Sequence, residues 1–201
     1  WGGSLVDDSC GVCDGDGTSC LASISLGAFS SSAGTLEILY DFGSAVAGFQ
    51  FNISGLELTG ASGGAAGAAG LTVSSSANTG TVIGFSFTGA TVAADSGVLT
   101  ILSFSDVTAG TTELTLGTGA ISDATGTELV ATVGGSHDHG DPDCSGDYYG
   151  SATVDTWYED SDGDSLGSDT ASDYCSTAVP SGWVSNSDDA DDACASNVHD
   201  C

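Results

Sequence analysis

The stretch TWYEDSDGDSLGSD, residues 156–169, sets Asp160, Asp162 and Asp164 at alternate positions. In a tight loop, alternate carboxylates turn toward one centre, as the first, third and fifth ligands of a calcium loop do. Leu166 then offers its backbone carbonyl, and Gly163 and Gly167 permit the sharp turns. Two positions depart from an EF-hand loop: Ser165 stands where its glycine belongs, and Ala171 where its bidentate Glu belongs. The missing ligand is expected from NSDDADDAC, residues 186–194, through Asp188, Asp189, Asp191 or Asp192. Calcium is the expected ion, because it is a hard cation that takes oxygen ligands. The competing reading is a solvated acidic loop that holds no ion.

A second chemistry-bearing stretch is CGVCDGDGTSC, residues 10–20. A redox C-x-x-C works through a depressed thiol pKa, supplied by nearby cations or a helix N-terminus. Here the neighbours are Asp7, Asp8, Asp14 and Asp16, which push a thiol the other way. Zinc needs a fourth ligand close by and usually a second C-x-x-C, which the chain lacks. Disulfides are therefore expected among Cys10, Cys13, Cys20, Cys144, Cys175, Cys194 and Cys201, and with them an oxidising, extracellular compartment. Spacing does not set the connectivity, and seven is odd, so one cysteine is free or joined to another chain.

SHDHGDPDC, residues 136–144, puts His137 and His139 on one side of an extended chain. Two local imidazoles are few for zinc or copper, so the stretch reads first as a linker that begins the tail. The sequon Asn52-Ile53-Ser54 permits N-glycosylation, and Ser and Thr are plentiful enough for O-glycans. No Ser-His context suggests a nucleophile, and no cation is present to hold an oxyanion or phosphate. The chain is not expected to be an enzyme.

Composition sets the frame for these sites. Among 201 residues there is no Lys or Arg against 28 Asp and Glu, a formal charge of −28. Carboxylates must be solvated, bonded to amides and hydroxyls, or neutralised by bound metal. Nucleic acid is excluded as a partner, since phosphate binding rests on Lys and Arg. Membrane insertion is not expected either, because no apolar run approaches the ~20 residues of a spanning helix. No trypsin-like protease has a cleavage site. With 40% hydrophobic residues and only two prolines, the chain is richer than a disordered acidic tail.

Composition shifts mark three segments: a cysteine-rich 1–21, a cysteine-free 22–135, and an acidic, cysteine-containing 136–201. The middle segment alternates apolar and polar residues in ISLGAF, TLEILYDF, AGFQFNI, LELT, LTVSS, TVIGFSF, VLTILSFS, TELTLG and TELVATV. Such spacing predicts an all-β sandwich of about nine strands. The terminal segments are expected to be irregular and held by disulfides and calcium. ASGGAAGAAG, residues 61–70, reads as a small-residue loop, with a short helix as the lesser option.

Three resemblances attach to these residues. TLEILYDFGSAVAGFQFNISGLEL, with SGVLTILSFS and GAISDATGTEL further on, resembles a cohesin-like β-sandwich over about residues 22–135. That resemblance implies a non-catalytic jelly roll that holds a partner protein. Trp157, Tyr158, Asp160, Asp162, Gly163 and Asp164, then Cys175, Pro180, Gly182, Trp183 and Val184, then Asp188 to Asp192, resemble a metal-binding repeat of secreted bacterial proteins. Its D-x-D-G-D chemistry is similar to that of thrombospondin type 3 repeats. HDC at the end of the chain, joined to WGGSLVDDSCGVCDGDGTSC at its start, resembles a repeated cysteine module of large secreted proteins, with Asp14 in place of a glycine. This implies one period of a tandem array or a subunit docking head to tail, with Cys201 the candidate for linkage across the junction.

Two functions follow as expectations. In the first, copies of the chain join head to tail into an extracellular filament or surface layer, rigidified by calcium and disulfides. In the second, a cohesin-like module captures a dockerin-like protein or a glycan. An exposed apolar patch on one sandwich face would favour the second.

Overall fold

The computed structural model describes Val6, Asp7, Cys10, Gly15 and residues 17–195. Among the described residues the chain is all-β with one short helix, and it divides into two compact units at Gly140 and Asp141.

The first unit holds two sheets. One runs β10 (Val130–Gly134), β1 (Leu21–Ser30), β2 (Thr35–Phe42), β7 (Ser96–Val107) and β4 (Leu56–Ser62). The other runs β11 (Ser136–Asp138), β8 (Thr111–Thr115), β3 (Val46–Ser54), β6 (Thr81–Phe85) and β5 (Thr72–Ser75), with β9 (Ile121–Asp123) beside β3. Neighbours are antiparallel except β1 and β10, which pair in parallel from Leu21↔Val130 to Ser25↔Gly134. All nine alternating stretches form strands, and the short β9 and β11 add to them.

Alternation explains which side chains lie inside, because successive residues of a strand point to opposite faces. On β2 Leu36, Ile38, Tyr40 and Phe42 are buried, and on β3 Val46, Phe49, Phe51 and Ile53. Packing at this density leaves little slack. At Gly84 on β6 any Cβ would collide with the ring of Phe49, so the glycine is what lets that ring lie flat against the strand.

Two expectations are corrected in this unit. Residues 61–70 are not a loop: α1 (Gly64–Ala69) forms there and buries Ala66 completely. Alanine is the best helix former, but six residues are too short to be helical alone, so packing against β7 must supply the rest. His137 and His139 do not begin a linker. β11 pairs with β8 in the register Ser136↔Glu113, His137↔Thr112 and Asp138↔Thr111, so the sandwich runs past residue 135.

The second unit is more ordered than the irregular segment expected. β12 (Val154–Glu159) lies between β13 (Ala171–Cys175) and β14 (Trp183–Val184) in an antiparallel sheet. Its apolar residues are few: among the described residues of this unit only Gly167 and Cys194 are buried. So small a core leaves much of the stability to covalent cross-links. One cross-link joins Cys144 to Cys175. A polar staple adds to it: the Asp143 carboxylate accepts from the amides of Ser145, Asp147 and Ala152.

Candidate metal centre

The loop between β12 and β13 carries the alternate aspartates. Its base is closed by backbone bonds, with Ser168 N–H donating to Glu159 O and Asp160 N–H to Gly182 O. Inside it, each aspartate folds the chain over itself. Asp160 Oδ1 accepts from the Gly163 amide at 2.7 Å and its Oδ2 from the Ser165 amide at 3.1 Å. Asp162 Oδ1 accepts from Asp164 N–H, and Asp164 Oδ1 from Leu166 N–H. Because each bond holds a carboxylate against the loop's own amides, the three side chains converge. One oxygen from each of Asp160, Asp162 and Asp164 lies within 4.8 Å of the others.

Ser165 takes φ +75°, the left-handed turn that a calcium loop ordinarily assigns to glycine at this place. A β-carbon makes that conformation costly, and a non-glycine residue keeps it only where its surroundings impose it. Here the Asp160 carboxylate grips the Ser165 amide, and the Asn186 side-chain amide donates to the Ser165 carbonyl. Backbone shape is therefore retained where the residue type departs from the pattern.

The second acidic stretch lies against this loop. Asp189 N–H donates to Gly167 O at 3.0 Å, and Asn186 Oδ1 accepts from the amides of Gly167 and Asp188. A Cβ at Gly167 would run into the Asn186 carbonyl, so the bare backbone is what allows the approach. Through it Asp189 comes close enough for its charge to act on Asp162. Burial, together with the charges of Asp164, Asp189 and Asp160, pushes the Asp162 carboxyl above its usual range, against the pull of the Asp164 amide. Asp162 Oδ2 and Asp189 Oδ2 are buried with no hydrogen-bond partner. Such atoms call for a proton donor, an ordered water or a cation.

Four acidic residues were expected as alternatives for the missing ligand, and their surroundings differ. Asp189 stands beside the cluster. The two oxygens of Asp192 accept from the amide and hydroxyl of Ser161 at 2.8 and 2.7 Å, which hold its carboxyl below the usual range, and its side chain also reaches Ser168 and Asp189. Asp188 is exposed, and Asp191 gives its amide to Asp189 Oδ1. Leu166 is half-buried and follows the aspartates directly, with its amide on Asp164. Ser161 and Asn186, which fix the second stretch onto the loop, carry no sequence signal beyond their position among aspartates. The donors are all oxygens, which suits a hard cation such as calcium rather than a thiolate- or imidazole-seeking metal.

The remaining expected positions are placed as follows. Cys10 pairs with Cys20, Cys144 with Cys175, and Cys194 is also disulfide-bonded and 3% exposed. Cys13 and Cys201, and with them the junction, lie outside the described residues. Asn52 is half-buried within β3, and its Oδ1 accepts from the Thr81 hydroxyl across the sheet at 2.8 Å. No described helix is long and apolar enough to cross a membrane. Compared with known proteins, the chain matches no family model and no curated protein.

Proposed function

We propose that the chain is a non-catalytic structural module of an extracellular assembly, whose C-terminal unit is locked by calcium. The observation that carries this reading is the pair of buried, unpartnered oxygens, one on Asp162, which clusters with Asp160 and Asp164, and one on Asp189, whose charge acts on Asp162. Like charges gathered in this way repel unless a cation lies between them. The chain has no Lys or Arg to serve, so the cation must come from outside. Asp160, Asp162, Asp164 and Asp189 would hold it, with the Leu166 carbonyl as a further donor. Calcium would then tie residues 186–194 to the β12–β13 loop and make up for the small core. The disulfides agree with an oxidising compartment.

In this reading the first unit supplies bulk and copies join head to tail. Contacts of that kind which do not close into a ring extend into a filament. Particle size by electron microscopy and light scattering, in calcium and after chelation, tests it. Long polymers that shorten or soften on chelation are expected. Monomers in both conditions would overturn the assembly.

One observation favours the second reading, a binding module for a dockerin-like protein or a glycan. Ile83 on β6 is 38% exposed, and Phe87 just beyond that strand is 91% exposed, its ring edge-on to Phe85. Monomers that retain a partner through this face, and lose it on Phe87→Ser, would support that alternative.

A further inference from the structure

The edge of the sandwich next to Asp141 carries a cluster that the metal site does not use. β11 has only three register pairs and is the outermost strand of its sheet, held by β8 alone. The imidazoles of His137 on β11 and of His139 just beyond it lie against Phe29 of β1 in the opposite sheet, with ring centroids 4.4 Å away for His137 and 4.9 Å for His139. Phe29 in turn stacks on Phe104 of β7. The imidazole rings stand 4.9 Å apart, edge to face. His139 is 8% exposed, its Nε2 is 2.8 Å from the hydroxyl of Thr112, which is fully buried, and its amide donates to Gly110 O.

We propose that β11 and the residue after it form an acid-released latch: protonation of His139 detaches residues 136–139 from the sandwich and frees the chain that leads to the second unit. The Thr112 hydroxyl does not oppose the proton, since it can accept from an imidazolium as readily as donate to an imidazole. Opposition comes from two other sources. Burial disfavours a charged ring at His139, and the charge of His137 adds to it.

Few carboxylates are placed to compensate. Asp138 on β11 itself pulls the other way, more weakly than burial and His137 push. Glu113 of β8 is exposed and faces Ser136 in the register. β1 carries no titratable side chain, and the only one on β7 is Asp106, next to its last residue. The sign follows from the lowered value. His139 folded resists protonation more than His139 unfolded, whose ordinary value is 6.5. Its contribution is complete above that pH and is lost as the pH falls through it toward the depressed folded value.

Release would add the four residues 136–139 to the connector, about 13 Å of extended chain.

The test is amide exchange of the full chain in excess calcium, with the histidine rings followed by NMR. Corrected for intrinsic rate, protection of the His139 amide is expected to fall about tenfold between about pH 7.5 and about pH 5. The Phe51 amide in β3 should keep its protection. The loss should share its midpoint with titration of the His139 ring and vanish in His139→Phe. A ring that titrates without loss of protection overturns the latch, and so does an equal loss in His139→Phe. The first of these outcomes needs no variant, so it decides even if the substituted chain fails to fold.

Discussion

Replacing Asp162 by Asn is the sharpest probe of the metal centre, because it changes charge while keeping shape. Asp162 sits among the charges of Asp160, Asp164 and Asp189, and one of its oxygens is buried without a partner. Without calcium, the substitution removes repulsion, so the variant should be at least as stable as the natural chain. With calcium the order should invert. Extracellular calcium modules bind with dissociation constants of about 10⁻⁴ to 10⁻³ M. At about 10 mM calcium, binding to the folded state alone then stabilises by about 1.4 to 2.7 kcal/mol. For a unit the size of residues 141–201, that raises Tm by about 5 to 20 °C. Loss of one charged ligand that weakens affinity about tenfold removes about 1 kcal/mol of this, or about 4 to 8 °C. Calorimetry with and without chelator measures both shifts, and Trp157 and Trp183 give a fluorescence signal from this unit. Exposed Asp169→Asn is the control. A calcium shift in Asp162→Asn equal to that of the natural chain would refute the reasoning. No shift in the natural chain would remove the site altogether.

Two further outcomes are expected. Ser165→Gly should stabilise the calcium loop by about 0.5 to 1 kcal/mol, since φ +75° costs glycine nothing, and calorimetry in calcium measures the gain. Asp143 has its carboxyl held low by the Ala152, Asp147 and Ser145 amides, so its contribution is present above the ordinary value of 3.8 and lost as pH falls through the depressed folded value. Acid unfolding of the second unit should therefore move to higher pH in Asp143→Ala, which circular dichroism during an acid titration would show.

Alternation and turn residues alone announced the sandwich. TLEILYDF became β2 residue for residue, because a half-buried strand writes its inward face into every second position. The same rule could not announce β12 to β14, whose apolar positions are few and only half-buried, nor α1, whose glycines and alanines suit a loop as well as a helix. His137 and His139 read as polar punctuation because nothing local shows that Phe29, more than a hundred residues earlier, will roof them.

For the metal centre the division is cleaner. By themselves, the residues of D-x-D-x-D settled that three carboxylates would converge, since amides two to five positions ahead fold the loop within a single short stretch. Which of Asp188, Asp189, Asp191 and Asp192 approaches them depended on contacts across about twenty to thirty residues. The Gly167 carbonyl draws in the Asp189 amide, and the Ser161 hydroxyl engages Asp192. Local hydrogen bonds depend on spacing, which a sequence displays. The choice among neighbouring carboxylates depends on which one the folded backbone turns inward, and only the tertiary structure decides that.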